Sequence, residues 1–464
     1  MAVGLATLVF ALSWYRHATF RSTTLDLAVF EQAIWKLAHF NAPEITTIGW
    51  NAFADHLSPV LLLFVPLYWI AATPLWLFAG QALAVGIGYL ALWPALEAAG
   101  TPDRLRRPLL MAFLASPLLW NAVIFDFHPT TLALPFVIIG IRSAFRNDRR
   151  GLILCSLALV LLRDDLGLGV AALALCGITR TDAQGTRTFR LALAGAGLAW
   201  VVLGGAVGTA LGSDHHWAYH YGSVAASPAQ AVLHPLTTLV SLADGIWRAD
   251  NLFLLAGFLL PLGLLPLLRP LRLAPVALLA LPLLASAGPQ FHYPKFHYGL
   301  VPLAFLLVAA AAGLGGVPAR LHRVTAAWLV VTAVAGLYLW GPPGTHELTK
   351  TAVPAAEARQ ALALIHPDDR VVATSPMGPR LAHRDVLVMF PYPFADGHPS
   401  LPLTPSAQEV SAEAAARIDA VVVTRPDSPE GWQRLKDFEA SPFLTELRYV
   451  RHFGTVTVYR RSAP

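Results

Sequence analysis

Hydrophobic and polar positions fall along this chain in long blocks. Apolar stretches such as FLLAGFLLPLGLLPLL and LVPLAFLLVAAAAGLGG recur through the first three quarters, with short Arg clusters between them. A run of about 18–20 apolar residues, at 1.5 Å per residue, crosses the hydrocarbon layer of a bilayer. The pattern predicts a mainly α, polytopic transmembrane bundle of about 11–13 spans, with the first over Met1 to Tyr15. That first segment lacks the positive start of a cleavable signal.

The basic clusters are Arg104, Arg106 and Arg107; Arg142, Arg146, Arg149 and Arg150; Arg180, Arg187 and Arg190; Arg269 and Arg272; and Arg320 and Arg323. By the positive-inside rule all of them face the cytoplasm. Segments on the opposite face carry acids, His and aromatics: STTLDLAVFEQAIW, ADHLSP, FDFHPTT, RDDLG, SDHHWAYHYGS and GPQFHYPKFHYG. One stretch does not close. Residues 57–96 look like two helices, yet one crossing is needed between Asp55 and Arg104. Either one helix is re-entrant or interfacial, or the Arg104 cluster breaks the rule. The apolar segments 151–162 and 166–178 are also short, reaching only about 18–20 Å each. Their apex, Arg163-Asp164-Asp165, should therefore dip below the outer surface into a polar cavity.

Beyond residue 340 the pattern changes. Residues 1–340 read as the transmembrane domain, with an amphipathic first outer loop over 16–56. Residues 341–464 read as a small soluble α/β domain outside the cytoplasm. Helices are predicted over 355–365 and GWQRLKDFEA, strands at RVVATS, DVLVMF and IDAVVVT, and a hairpin in LRYVRHFGTVTVYRR. The Pro-rich FPYPFADGHPSLPLTPS reads as irregular.

Composition agrees: 56% of residues are hydrophobic and 13% charged, against about 25% charged in soluble proteins. The net charge of +5 comes from Arg in loops, with no continuous basic stripe, which argues against nucleic acid as a partner. Cys155 and Cys176 lie inside apolar segments and read as inert packing residues.

Each candidate residue has a structural alternative. Thr23 with Asp26 three residues on fits a capping box, and Asp26 and Glu31 lie about 140° apart on a helix. Ser58-Pro59 reads as a helix start, which leaves Asp55 and His56 unexplained. Asp126 and His128 precede another Pro-initiated start. Arg163 with Asp164 and Asp165 is either a buried salt bridge or a site. His292, Lys295, His297 and Tyr298 are either an interfacial belt or a patch for a phosphate head group. His216 and His220 could ligate a metal if helical, although a belt fits them better. All these groups on one face suit a cleft for a charged or polyhydroxy lipid head group.

The motifs DLAVFEQAIW, DHLSPVLLLFVPLY, FDFHPTTLALP, LLRDDLGLGVA, HPLTTL, PLLRP, FHYGLVPLAFL and RVVATSPMGPRLAHRDVLVMFP occur in the order seen in a bacterial and archaeal membrane family, domain of unknown function 2079. The resemblance covers roughly residues 20–460. This chain departs from the family in having Glu31 where an Asp is usual, and Arg163-Asp164-Asp165 where Lys-Glu-Asp is usual. The first substitution keeps the charge, and the second takes away any role that needs a deprotonatable lysine. The family is in turn similar to the glycosyltransferase C superfamily, which takes sugars from polyprenyl phosphates.

That second resemblance implies an inverting transfer from a polyprenyl-phosphate sugar to an acceptor hydroxyl at the outer face of the plasma (inner) membrane. Asp26 occupies the position of the superfamily's acidic catalytic residue, and Asp55-His56 resembles the His-Pro helix start of protein O-mannosyltransferases. The expected roles are Asp26 as base with Asp55 second, and Arg163, His292, Lys295, His297 and Tyr298 around the donor phosphate. Glu31, Gln32, Asp126, His128, Asp164 and Asp165 would line the cleft, and the acids among them could hold a divalent cation such as Mg or Mn, which nothing in the sequence requires. A transporter or flippase, or a non-catalytic scaffold, stays open as an alternative.

Overall fold

The computed structural model describes residues 1–178, 183–212, 221–343, 353–392 and 417–461. The His216 and His220 pair and nearly all of the Pro-rich loop lie outside them. Among the described residues, five helices are long and apolar enough to cross a membrane: Leu75–Ala98, Asp103–Ile124, Gln184–Ala210, His297–Gly316 and Ala319–Trp340. A sixth crossing is formed if Pro235–Ile246 and Ala249–Leu262, bent by 69° at their junction, count as one span. The other predicted crossings are shorter apolar helices, including Ala2–Ala18, Pro129–Phe145, Arg149–Leu162 and Pro270–Ala285.

Small residues let these helices approach closely, which is how helices gain packing contacts when hydrophobic transfer drives nothing between them. Gly88 leaves room for Leu134, and Gly140 for Leu173; a Cβ at either glycine would meet those leucines at 2.8 and 2.6 Å. Such crossings hold Leu75–Ala98 against both Ala2–Ala18 and Ala133–Phe145.

Between Asp55 and Arg104 the fold supplies one long helix and one short one. Leu61–Ile70 has 10 residues and reaches about 15 Å, half the hydrocarbon thickness. It packs on the amphipathic Val29–Ala38 helix, so the crossing is left to Leu75–Ala98. That leaves one crossing between Asp55 and the Arg104 cluster.

The 22-residue Asp103–Ile124 helix separates that cluster from Asp126 by about 33 Å. Pro129–Phe145 returns to Arg142, and Arg149–Leu162 climbs back to Arg163. Arg190 fastens the basic end. It is 1% exposed and donates to the carbonyls of Cys176 and Ala144 and to Asn147 Oδ1 at 2.5, 2.6 and 2.7 Å. Two of those acceptors are carbonyls at helix C-termini, where a cation is favoured. The reading of Arg190 as a loop anchor is corrected: it is an internal staple.

A two-stranded hairpin, β1 (Glu44–Ile45) and β2 (Trp50–Asn51), follows the first amphipathic helix. The C-terminal part forms a five-stranded sheet from β3 (Val371–Ala373), β4 (Leu387–Met389), β5 (Ala420–Thr424), β6 (Tyr449–Phe453) and β7 (Val456–Arg460). Its order is β4-β3-β5-β7-β6, parallel across the first three strands and antiparallel beyond. Helices Ala355–Leu362 and Pro429–Glu439 accompany it. One face of the sheet buries Val371, Ala373, Val422 and Val458 together with Phe20 and Ala28 from the first loop.

Candidate functional site

Asp26 lies in a single π-helical turn, Thr24–Ala28, leading into Val29–Ala38. Such wide turns gather at functional sites. A capping role would have Asp26 accept the Thr23 amide, but the fold gives that task to Asp126. The Thr23 N–H donates to Asp126 Oδ2 at 2.8 Å, and the Thr23 hydroxyl donates to Asp26 Oδ2. Asp126 adopts a φ of 62°, a left-handed conformation that Asp tolerates better than most residues. Burial pushes its carboxyl up to about 6; the Asp26 charge adds to this, while Arg16 and the Thr23 amide pull against it.

Asp26 Oδ1 faces His128 Nε2 at 3.2 Å. An ionised carboxylate can only accept, so Nε2 carries the proton. The His128 ring stacks on His297 with centroids 3.8 Å apart, and His297 lies 4.3 Å from the Tyr298 ring. Both histidines are buried. Among the described residues, His128 Nδ1 and both nitrogens of His297 have no hydrogen-bond partner, an uncommon arrangement for buried polar atoms and one that favours a ligand.

Arg163 and His56 form the second half. A guanidinium only donates, so Arg163 Nη2 at 2.9 Å from His56 Nε2 makes that nitrogen the acceptor. The proton then sits on Nδ1 and is given to Asp164 Oδ1 at 3.0 Å. Arg163 also pairs with Asp165 at 2.9 Å and donates to Thr130 Oγ1 at 3.3 Å. Thr130 is two residues from His128 in the Pro129–Leu132 turn, so this turn joins the two halves. Tyr298 feels the charges of Arg163, Asp26 and Asp55 together. The Val60 amide, bonded to the Leu161 carbonyl at 2.8 Å, keeps the His56 loop beside Arg163.

The backbone explains why the Arg163 apex sits so close to its neighbours. Gly204 faces Asp164, and a Cβ there would come within 2.3 Å of the Asp164 Cβ. Gly197 and Gly204, seven apart on Gln184–Ala210, form the small-residue stripe that admits the apex.

Several expected residues are placed elsewhere. Glu31 is 0% exposed, with one oxygen taken by the Tyr68 hydroxyl and the other 2.6 Å from His383 Nε2. Gln32 bonds Thr46 and the Arg384 carbonyl. Both face the C-terminal sheet, so their assignment to the cleft is corrected. The cause is the helical offset, which turns their side of the helix away from Asp26. His292 is bound to Asn251 Oδ1 at 2.6 Å in a separate polar knot. Lys295 sits over the Phe296 ring, which packs on Phe125 and through it on His128; this puts Lys295 at the rim. Among the described residues no group of three or more His, Cys, Asp or Glu is arranged to hold a metal. Asp126, Asp164 and Asp165 are engaged singly, by Thr23, His56 and Arg163.

Of the residues that sequence reasoning did not pick out, Thr130 belongs to the site through Arg163, whereas Tyr68 and His383 form the separate Glu31 cluster. His383 lies in the recognised RVVATSPMGPRLAHRDVLVMFP motif, but no spacing connects it to Glu31, 352 positions away.

No curated protein matches the chain by sequence. Among solved structures it is similar to ArnT from Cupriavidus metallidurans in the apo state, at 13% identity and a TM-score of 0.53 over 99% of this chain and 98% of that one. The same protein bound to undecaprenyl phosphate matches at 12% identity and a TM-score of 0.50 over the same shares of the two chains. Identity this low carries the fold alone, which is ArnT-like. The family model described as predicted membrane protein (DUF2079) matches residues 16–446, and the chain belongs to that family.

Proposed function

We propose that this protein is a glycosyltransferase that moves a sugar from a polyprenyl-phosphate donor to an acceptor hydroxyl, with inversion at the anomeric carbon. The observation that carries this reading is the buried Asp26–His128–His297 stack set beside Arg163, in a fold like that of a protein solved with undecaprenyl phosphate. Asp26 takes the proton of the acceptor hydroxyl as its oxygen attacks C1, and the bond from C1 to the phosphate oxygen breaks. Charge growing on the leaving lipid phosphate is met by Arg163, with Lys295 at the rim. His128 holds the Asp26 carboxylate in line, and His297 and Tyr298 form the wall against which the sugar or phosphate rests.

In this reading the acid-bearing end and the C-terminal sheet face outward from the bacterial inner membrane, opposite the Arg clusters. The 69° break between Pro235–Ile246 and Ala249–Leu262 favours a second reading, a flippase or transporter of a lipid-linked solute, since broken helices are common in such proteins.

The test is sugar transfer by purified protein from a panel of polyprenyl-phosphate sugars, wild type beside Asp26→Asn and Arg163→Gln. Turnover that is lost in a folded Asp26→Asn variant is the expected result. Saturable lipid binding, with no turnover from any donor and no effect of either substitution, would replace it with the transporter reading.

A further inference from the structure

The turn between β3 and β4 reaches into the segment that carries Asp26, and its contacts there are of three independent kinds. The first is a reciprocal pair of hydrogen bonds: the Thr24 amide donates to Ser375 Oγ at 3.2 Å, and the Thr24 hydroxyl donates to the Ser375 carbonyl at 3.0 Å. Thr24 opens the same π-helical turn as Asp26. The second is steric. A Cβ on Gly378 would lie 2.0 Å from Thr24 Oγ1 and 3.0 Å from Thr24 Cβ, so glycine leaves the room that the Thr24 side chain occupies. The third is apolar: Ala28, at the end of the π turn and 0% exposed, is buried among Ala373, Met377 and Leu381 of the C-terminal unit.

The contacts continue on either side. Arg380 donates to the His17 carbonyl at 3.0 Å and covers Phe20, and Thr46 bonds the backbone of Leu387.

We infer that the Ser375–Gly378 turn is a positioning element for Asp26: the C-terminal unit fixes the proton-accepting carboxylate over the cleft without touching the substrate. This rests on the glycosyltransferase reading. A π turn of five residues has too few internal bonds to hold one geometry by itself, and Thr24, Asp26 and Ala28 are each held from outside it. Ser375 and Gly378 therefore act on the reaction through Thr24.

The test uses the full chain with Gly378→Ala and Ser375→Ala, and with Gly378→Ala combined with Thr24→Gly, which removes the atoms a new Cβ would strike. Displacing a reacting group by about 1 Å costs on the order of a hundredfold in rate. The expected result for Gly378→Ala is a kcat lower by roughly ten- to a hundredfold, with KM for the lipid-linked donor unchanged and kcat partly restored in the double variant. Amide exchange across Thr24–Ala28 is followed in the same proteins, and protection there should fall in Gly378→Ala while the Leu300–Gly316 helix keeps its own. An unchanged kcat, or a KM that rises at constant kcat, overturns the inference. If the wild type transfers no sugar from any donor, the glycosyltransferase reading fails by itself. Exchange then decides the positioning claim, since unchanged protection across Thr24–Ala28 overturns it.

Discussion

Replacing His383 by Ala tests the most deeply buried carboxylate among the described residues. Glu31 is fully enclosed, and its two oxygens are held by Tyr68 and by His383, the latter at 2.6 Å with a side chain 29% exposed. Removing one partner from a buried charge typically costs about 3–5 kcal/mol, because the charge stays desolvated while its compensation is gone. Here the Tyr68 bond survives, and the exposed edge of His383 lets water approach the gap, so about 2–3 kcal/mol is expected. His383→Gln keeps an N–H in reach of the same oxygen and should cost less than about 1 kcal/mol. Replacing the whole set with Glu31→Leu, Tyr68→Phe and His383→Leu removes the charge with its partners and should fall within about 1 kcal/mol of wild type. Thermal unfolding of the detergent-solubilised protein measures the order. His383→Ala should melt lowest, by roughly 2–3 °C for a chain of this length, with His383→Gln between it and wild type. A His383→Ala protein that melts with wild type, or a Gln variant no better than Ala, would refute the claim that this pair joins the first loop to the C-terminal sheet.

Two further substitutions probe the ends of the bundle. Arg190→Ala leaves two carbonyls and Asn147 without their donor and should destabilise the fold by about 3 kcal/mol, with Arg190→Lys recovering only part, since an ammonium cannot span all three acceptors; melting temperature reads both. Asp126 has a carboxyl raised to about 6 from an ordinary 3.8, so the folded state holds its proton where the unfolded state has lost it. The stability this gives is complete below pH 3.8 and is lost as pH rises through about 6. Melting curves of wild type and Asp126→Asn across that window should therefore diverge in favour of Asn as pH rises, and parallel curves would show that Asp126 titrates normally.

The apolar blocks and Arg clusters made the bundle and its basic end legible, because span length and charge asymmetry are written locally in the chain. The strands of the C-terminal sheet were legible for the same reason, and so was the polar apex at Arg163, from the shortness of its flanking segments. What the sequence could not show was which acid serves which neighbour. Asp26 and Asp126 both fit a helix start by pattern, and only the fold reveals that Asp126, 103 positions from Thr23, does the capping. The family resemblance puts Glu31 in the same cleft as Asp26, yet the partners that claim it, Tyr68 and His383, come from two other segments. Long-range pairing of this kind leaves no periodic trace.

The charge around Arg163 leads to a last prediction. Asp26, Asp55, Asp164 and Asp165 all act on Arg163 or on Tyr298 beside it, and His56 bridges Asp164 and Arg163 at 3.0 and 2.9 Å. Carboxylates therefore outnumber the one guanidinium, and a lipid phosphate entering the cleft would add negative charge where acids already prevail. At low local dielectric such an excess is costly. The carboxylates are each engaged separately, so a cation would be recruited together with the phosphate and shared between it and an acid such as Asp55. Donor binding should then weaken at least tenfold, about 1.4 kcal/mol, when divalent ions are removed with EDTA at constant ionic strength, and recover on adding back Mg or Mn. The folded protein alone should melt at the same temperature with and without EDTA, which would place the cation with the bound donor and not in the resting fold. Donor affinity untouched by EDTA would mean that Arg163 and Lys295 offset the phosphate unaided. In that case Lys295→Gln should weaken donor binding by itself, and the cation-sharing argument would be refuted.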